Sequence, residues 1–257
     1  MDFLVARGVT KTFGGLTAVS KVDFLMERGM IAGLIGPNGA GKTTFFNMIT
    51  GVYSVTQGSL MFDGTEISQF KPHDITKLGI ARTFQNIRLF PAMTALENVM
   101  VGMHTRLTAG LVDTIFKTER SRKEEAMARG KALDMLDYVG LGRGRAEMTA
   151  RHLAYGDQRR LEIARALATQ PQLLLLDEPT AGMNQSEATE LTEFIRRIRK
   201  ELNLTVLLIE HHMRVVMGIS DRVSVLDHGE KIAEGTPVEV QNNQQVIEAY
   251  LGSGAGH

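Results

Sequence analysis

The chain has 257 residues, 29 acidic and 29 basic side chains, and no cysteine. That length buries the core of one large domain, or of one domain with a lobe. Cancelling charge gives no general surface for polyanions, so no nucleic-acid partner is expected, and without thiols there are no disulfides or thiolate metal sites.

From the N-terminus, Phe3-Leu4-Val5-Ala6 and Val22-Asp23-Phe24-Leu25-Met26 predict short strands, with glycines between them. Met1-Asp2-Phe3 lacks the basic and apolar regions of a signal peptide, so none is expected. Phe13 precedes Gly14-Gly15, where an aromatic is a core or loop anchor or a stacking surface for adenine. The apolar run 30–35 leads into Gly36-Pro37-Asn38-Gly39-Ala40-Gly41-Lys42-Thr43-Thr44, a complete G-x-x-x-x-G-K-[ST] motif. A helix-favouring segment, 44–49, follows. Strand, glycine loop and helix come in the order a phosphate cradle needs. Glycines let several N–H groups converge, and the helix adds its positive end. Lys42 is expected to reach the β- and γ-phosphates and the Thr43 hydroxyl to ligate Mg²⁺. Residues 58–63 predict a further strand closed by the turn Asp63-Gly64.

Residues 73–78 predict a short helix and 80–84 an apolar strand. Gln85 then opens a polar stretch, Gln85-Asn86-Ile87-Arg88. Residues 94–151 read as mainly helical, opened by the capping box Thr94 and Glu97. Within them 118–141 is charged early and apolar late, and 105–116 has no readable period. Residues of about 86–160 are thus a helical lobe inserted into a sheet domain made of 1–85 and 161–257.

Leu153-Ala154-Tyr155-Gly156-Asp157-Gln158 precedes a predicted helix over 159–169. Gly156 at its start leaves backbone N–H groups pointing outwards, either a plain cap or a second anion site. Leu173-Leu174-Leu175-Leu176-Asp177-Glu178 is a buried strand ending in two acids, as in a central parallel strand. Ligands in such sheets sit beyond the carboxyl ends of strands. Asp177 there holds Mg²⁺ through water, and Glu178 orients or deprotonates a water; the alternative is two acids favoured by a helix N-terminus. Residues 185–200 predict an amphipathic helix. The apolar strand 204–209 ends in Glu210-His211-His212, placing a histidine where it can hydrogen-bond a terminal phosphate. Adjacent residues at a strand end point opposite ways, so a paired-histidine metal site is not expected. Residues 223–226 and 231–233 flank His228-Gly229 as a hairpin, and 238–251 is a mostly helical tail. The aliphatic runs 173–176 and 206–209 are too short to cross a bilayer.

In order and spacing these motifs resemble, over nearly the whole chain, the ATP-binding subunit of an ABC transporter. Residues 36–43 match Walker A, and 173–177 with Glu178 match Walker B and its catalytic glutamate. Gln85 matches the Q-loop, 153–158 the signature, Ala181-Gly182-Met183-Asn184 the D-loop, His211 the switch histidine and Phe13 the adenine-stacking position. The resemblance implies a single α/β domain over 1–257: a P-loop NTPase core of the ABC type, an antiparallel β-subdomain and an inserted helical subdomain. It implies ATP held by Phe13 and residues 36–44, and Mg²⁺ held by Thr43, Gln85 and Asp177. Catalysis falls to Glu178, His211 and Gln85. A second chain closes on the nucleotide with its Ala154, Tyr155, Gly156, Asp157 and Gln158.

A narrower resemblance, carried by 84–91, Ile209-Glu210-His211 and Ala249-Tyr250-Leu251-Gly252, is to the ATPase of branched-chain amino-acid importers. Lipopolysaccharide-export ATPases share parts of it, and the added 105–116 segment favours the importer. The implied partners are two permease subunits, a second ATPase (the same chain or, as expected here, a paralogue) and, indirectly, an extracytoplasmic solute-binding protein. The implied location is the cytoplasmic face of the membrane, as a peripheral subunit. A soluble ABC ATPase acting on ribosomes or DNA is the rival class; the single cassette and absent coiled coils argue against it. Two departures stand out. Ala154 and Tyr155 replace a serine and a glycine, and the lost hydroxyl donor is worth about 1 kcal/mol. Asn184 replaces the D-loop aspartate, keeping its shape without its charge.

Overall fold

The computed structural model describes residues 2–103 and 119–252, so the 105–116 segment lies outside the described residues. The chain divides into two units, Met1–Arg82 with Gln172–His257, and Thr83–Pro171.

The first unit carries two sheets. In the antiparallel one, β1 (Asp2–Phe13), β2 (Leu16–Glu27), β4 (Gln57–Phe62) and β5 (Thr65–Glu66) lie in the order β2-β1-β4-β5. β1 and β2 run well beyond the short stretches that predict them. Register shifts absorb Gly8, which takes a positive φ of 56° and donates its N–H to Asp23 Oδ1 at 2.7 Å. The glycine that reads as a strand end is a bulge inside the strand.

The second sheet holds β3 (Ile31–Ile35), β6 (Ile80–Arg82), β7 (Leu173–Asp177), β8 (Thr205–Ile209), β9 (Arg222–Asp227) and β10 (Glu230–Gly235). Their order is β10-β9-β3-β8-β7-β6, parallel throughout except for the β9–β10 hairpin. Every residue of β3, β7 and β8 is buried, as expected of strands covered on both faces. β6 ends at Arg82, two residues short of its predicted end, because its pairing with β7 stops at Arg82 and Leu175.

Helices α1 (Lys42–Ile49), α2 (Pro72–Leu78), α6 (Gln185–Glu201), α7 (Met213–Ile219), α8 (Pro237–Gln241) and α9 (Gln244–Gly252) complete this unit. α1 adds Phe45, Phe46, Met48 and Ile49 to a core shared with Phe24, Phe62, Leu207 and Ile209. The predicted single tail helix is two. Asn243 breaks it and caps the second piece, its Oδ1 accepting from Gln245 N at 2.9 Å.

The second unit contains α3 (Ala95–Met103), α4 (Glu119–Tyr138) and α5 (Tyr155–Ala168). The capping box forms: Glu97 Oε2 accepts from Thr94 N at 2.7 Å, and Thr94 Oγ1 from Glu97 N at 3.1 Å. α5 starts four residues before its predicted start, so Gly156 sits in its first turn. Inside it, Arg159 and Glu162 are fully buried and paired at 2.8 Å. Arg159 also donates to the carbonyls of Phe84 at 2.7 Å and Gln85 at 2.9 Å, while Glu162 Oε1 accepts from the backbones of Phe84 and Arg88. This pair ties the Gln85 loop to α5, and each charge meets its opposite where desolvation costs most.

Candidate functional site

Ile209 pairs with Leu34 on one side and with Asp177 on the other, so three adjacent parallel strands finish side by side. Gly36, Glu178 and Glu210 therefore emerge at one edge of the first unit.

The loop after β3 closes on itself. Gly36 has φ 150°, and a Cβ there falls 2.0 Å from Leu226 O. Gly41, the residue before α1, has φ 97°, and a Cβ there falls 2.5 Å from Ala18 O. Glycine alone fits both places. Lys42 folds back over this loop, donating to Gly36 O at 2.7 Å and Pro37 O at 2.8 Å. Burial lowers its ammonium pKa below lysine's ordinary value, against the raising pull of Glu178 and then Asp177. Tyr250 of α9 hydrogen-bonds the Gly36 backbone, and burial pushes its phenol up to about 12.

Asp177 is buried, and its Oδ2 accepts from Arg82 Nη2 at 2.7 Å. Arg82 Nη1 also donates to Asn47 Oδ1 of α1 at 2.6 Å. The motif reading missed Arg82. Its signal is an arginine closing a short apolar strand, since a buried cation needs a buried acid. Arg82→Ala strips buried Asp177 of its hydrogen-bonded ion-pair partner and is expected to cost about 3–5 kcal/mol, read by denaturant unfolding of the nucleotide-free chain.

Glu178 adopts φ 46°, in the left-handed region that few non-glycine residues take. Its N–H donates to Ile209 O at 2.9 Å, and its Oε2 lies 3.5 Å from His211 Nδ1. The His211 and His212 rings do not diverge: their centroids are 4.4 Å apart. Glu210 draws both amides onto one carboxylate oxygen, His211 N at 3.1 Å and His212 N at 3.3 Å, and so curls the chain past the strand end.

Phe13 is 40% exposed and meets Tyr53 edge-on at 5.0 Å. Thr43 is exposed and Thr44 half-buried in the first turn of α1. Asn184 caps α6: its Oδ1 accepts from Glu187 N at 3.0 Å, and Glu187 Oε2 from Asn184 N at 2.9 Å. That N-x-x-E box is legible in the sequence. Gln85, Ala154, Tyr155, Gly156, Asp157 and Gln158 belong to the second unit; Ala154 and Tyr155 are exposed at the start of α5. The glycine curl and Lys42 fit a polyphosphate, and the Thr43 hydroxyl with the Asp177 carboxylate is an oxygen donor set that fits Mg²⁺.

This fold and this loop define a P-loop nucleotide-binding cassette. The sequence pattern described as ABC transporter matches residues 19–181, and that of the branched-chain amino acid ATP-binding cassette transporter matches 230–256. The chain is 47% identical over 249 residues, 97% of each chain, to the high-affinity branched-chain amino acid transport ATP-binding protein LivG of Salmonella typhimurium. An ATP-binding cassette of an ABC transporter, solved in its ADP conformation, aligns with a TM-score of 0.85 at 31% identity, covering 98% of this chain and 99% of that one. A dimeric cassette in a post-hydrolysis state, bound to ADP and Pi, aligns with a TM-score of 0.77 at 26% identity, over 91% and 98% of the two chains. The chain belongs to the ABC transporter family, as an ATPase subunit.

Proposed function

We propose that this chain hydrolyses ATP to energise the import of branched-chain amino acids through two partner permease subunits. The observation that carries the reading is the meeting of Lys42, Asp177, Glu178 and His211 at the ends of three neighbouring parallel strands. The C-terminal match at 230–256 and the likeness to LivG support the choice of solute.

The loop N–H groups and Lys42 hold the β- and γ-phosphates, and Phe13 stacks on the adenine. Thr43 and Asp177 would hold Mg²⁺, which when bound would offset the negative charge on the transferring phosphoryl group. Glu178 takes a proton from the attacking water, and His211, 3.5 Å from it, hydrogen-bonds the terminal phosphate. Gln85 keeps the sensing role that the resemblance gives it. In a working pair, the first turn of α5 of the opposing chain, with Ala154, Tyr155, Gly156, Asp157 and Gln158, caps the nucleotide; the dimeric relative bound to ADP and Pi supports this pairing. Closure is stabilised by ATP because only the closed pair adds those N–H groups to the γ-phosphate. Asn184 serves as a helix cap, for which an amide suffices. We assign the chain to the cytoplasmic face of the membrane as a docked subunit beside a paralogous ATPase, with 83–171 as the helical subdomain that meets the permeases. No described helix is long and apolar enough to cross a membrane.

Co-expression with the genes beside its own tests the assignment. The chain is expected to bring down two hydrophobic permeases and to hydrolyse ATP faster when leucine and its binding protein are added. Co-purification with ribosomes, or stimulation by lipopolysaccharide, overturns it.

A further inference from the structure

We propose that Glu210 is a positioning residue for hydrolysis, a buried carboxylate that clamps the loop after β7 to the loop after β8 and thereby sets the Glu178–His211 contact. The proposal rests on the roles given above to those two residues.

Glu210 is 1% exposed. Its Oε1 accepts from Thr180 N at 2.9 Å and from the Thr180 hydroxyl. Its Oε2 accepts from His211 N and His212 N. Each oxygen therefore serves one loop. Thr180 Oγ1 also lies 3.0 Å from His212 Nδ1, which closes the arrangement into a ring. Thr180 stands two residues after Glu178, and His211 directly follows Glu210. The Glu178 N–H also donates to Ile209 O at 2.9 Å, a backbone link between the same two chain segments. Glu178 holds a left-handed φ of 46°, a conformation that persists only where its surroundings impose it. The clamp supplies that restraint from the Thr180 side.

Four donors converge on this one side chain, and an ionised carboxylate accepts at both oxygens. Glutamine has the same shape but one accepting oxygen and one NH₂. Either way it turns, that NH₂ meets an N–H donor, of Thr180 on one side or of His211 and His212 on the other, so at least one of the four bonds is lost and one loop is held less tightly while volume and burial are kept. The other loop stays attached. The effect therefore falls on the mutual placement of Glu178 and His211 and spares the Lys42 loop.

Glu210→Gln in the full chain is the test, read by affinity for a fluorescent ATP analogue, steady-state kinetics and thermal unfolding. We expect nucleotide affinity within about twofold of the parent and kcat lower by about 10–100-fold, the scale of a displacement near 1 Å among reacting groups. In a Glu178→Gln background the added substitution should cost nothing further, because both act on one step. Thr180→Ala removes the hydroxyl and the γ-methyl and is expected to lower kcat in the same sense, with Thr180→Ser, which returns the hydroxyl without the methyl, restoring it; this arm decides the matter if the glutamine variant is too unstable to purify. Parental kcat in Glu210→Gln or Thr180→Ala, or a parallel loss of affinity and kcat, overturns the clamp. Full turnover in Glu178→Gln alone would instead overturn the hydrolytic reading beneath it.

Discussion

Glu178→Gln binds ATP with the parental affinity and loses turnover by about 10²–10⁴-fold, the range supplied by a positioned general base. Glutamine has the size and hydrogen-bonding length of glutamate but cannot take up a proton from water at neutral pH. The ground-state grip on the nucleotide comes from the loop N–H groups and Lys42, which the change leaves alone. The loss therefore sits in kcat with KM unchanged or lower, the pattern of an interaction made only in the transition state. A second consequence follows from closure. If hydrolysis is what reopens the pair, the variant accumulates a closed dimer with ATP and Mg²⁺ in size-exclusion chromatography. Parental turnover in this variant removes Glu178 from the role.

Lys42→Ala acts at the other side of the nucleotide and strikes affinity first. In the nucleotide-free chain the ammonium donates to Gly36 O and Pro37 O inside a buried loop. A phosphate offers charge-assisted bonds in their place, worth about 1.5–3 kcal/mol, so Kd for ATP rises by about 10–150-fold, measurable by calorimetry. Hydrolysis falls further, because the same cation stabilises the charge on the transferring group. The pH dependence carries the same signature. Lys42 is held below lysine's ordinary pKa by burial, and an arriving phosphate anion raises it again. Affinity for ATP is then full below the lowered value and declines as pH rises through it, with proton uptake on binding in that window. The nucleotide-free chain shows the opposite linkage. Between the lowered value and the ordinary one the unfolded state binds more protons than the folded state, so stability rises with pH there. Both dependences vanish in Lys42→Ala. ATP affinity and hydrolysis equal to the parent's in that variant would overturn the assignment of residues 36–44 as the nucleotide cradle.

The glycine loop, the apolar pentapeptides around 31–35, 173–177 and 205–209, the Thr94 capping box and the hairpin at His228-Gly229 were all legible in the amino-acid sequence. Each depends on residues within a few positions of one another: a positive φ, a run of strand formers, an N–H reached by the side chain three residues away. The order of those signals along the chain also carried the resemblance to ABC transporter ATPases, because spacing along a chain survives without knowledge of its path. What the tertiary structure alone decided is which distant groups answer one another. Arg82 meets Asp177 across 95 residues, Glu210 meets Thr180 across 30, Arg159 meets Phe84 across 75, and the C-terminal Tyr250 meets Gly36. A charge in a sequence has many possible partners of opposite sign. For Arg82 and Glu210 the strand order β8-β7-β6 makes the choice by bringing particular strand ends together, and burial then makes the chosen pair obligatory, since an unanswered charge or N–H in that interior costs several kcal/mol.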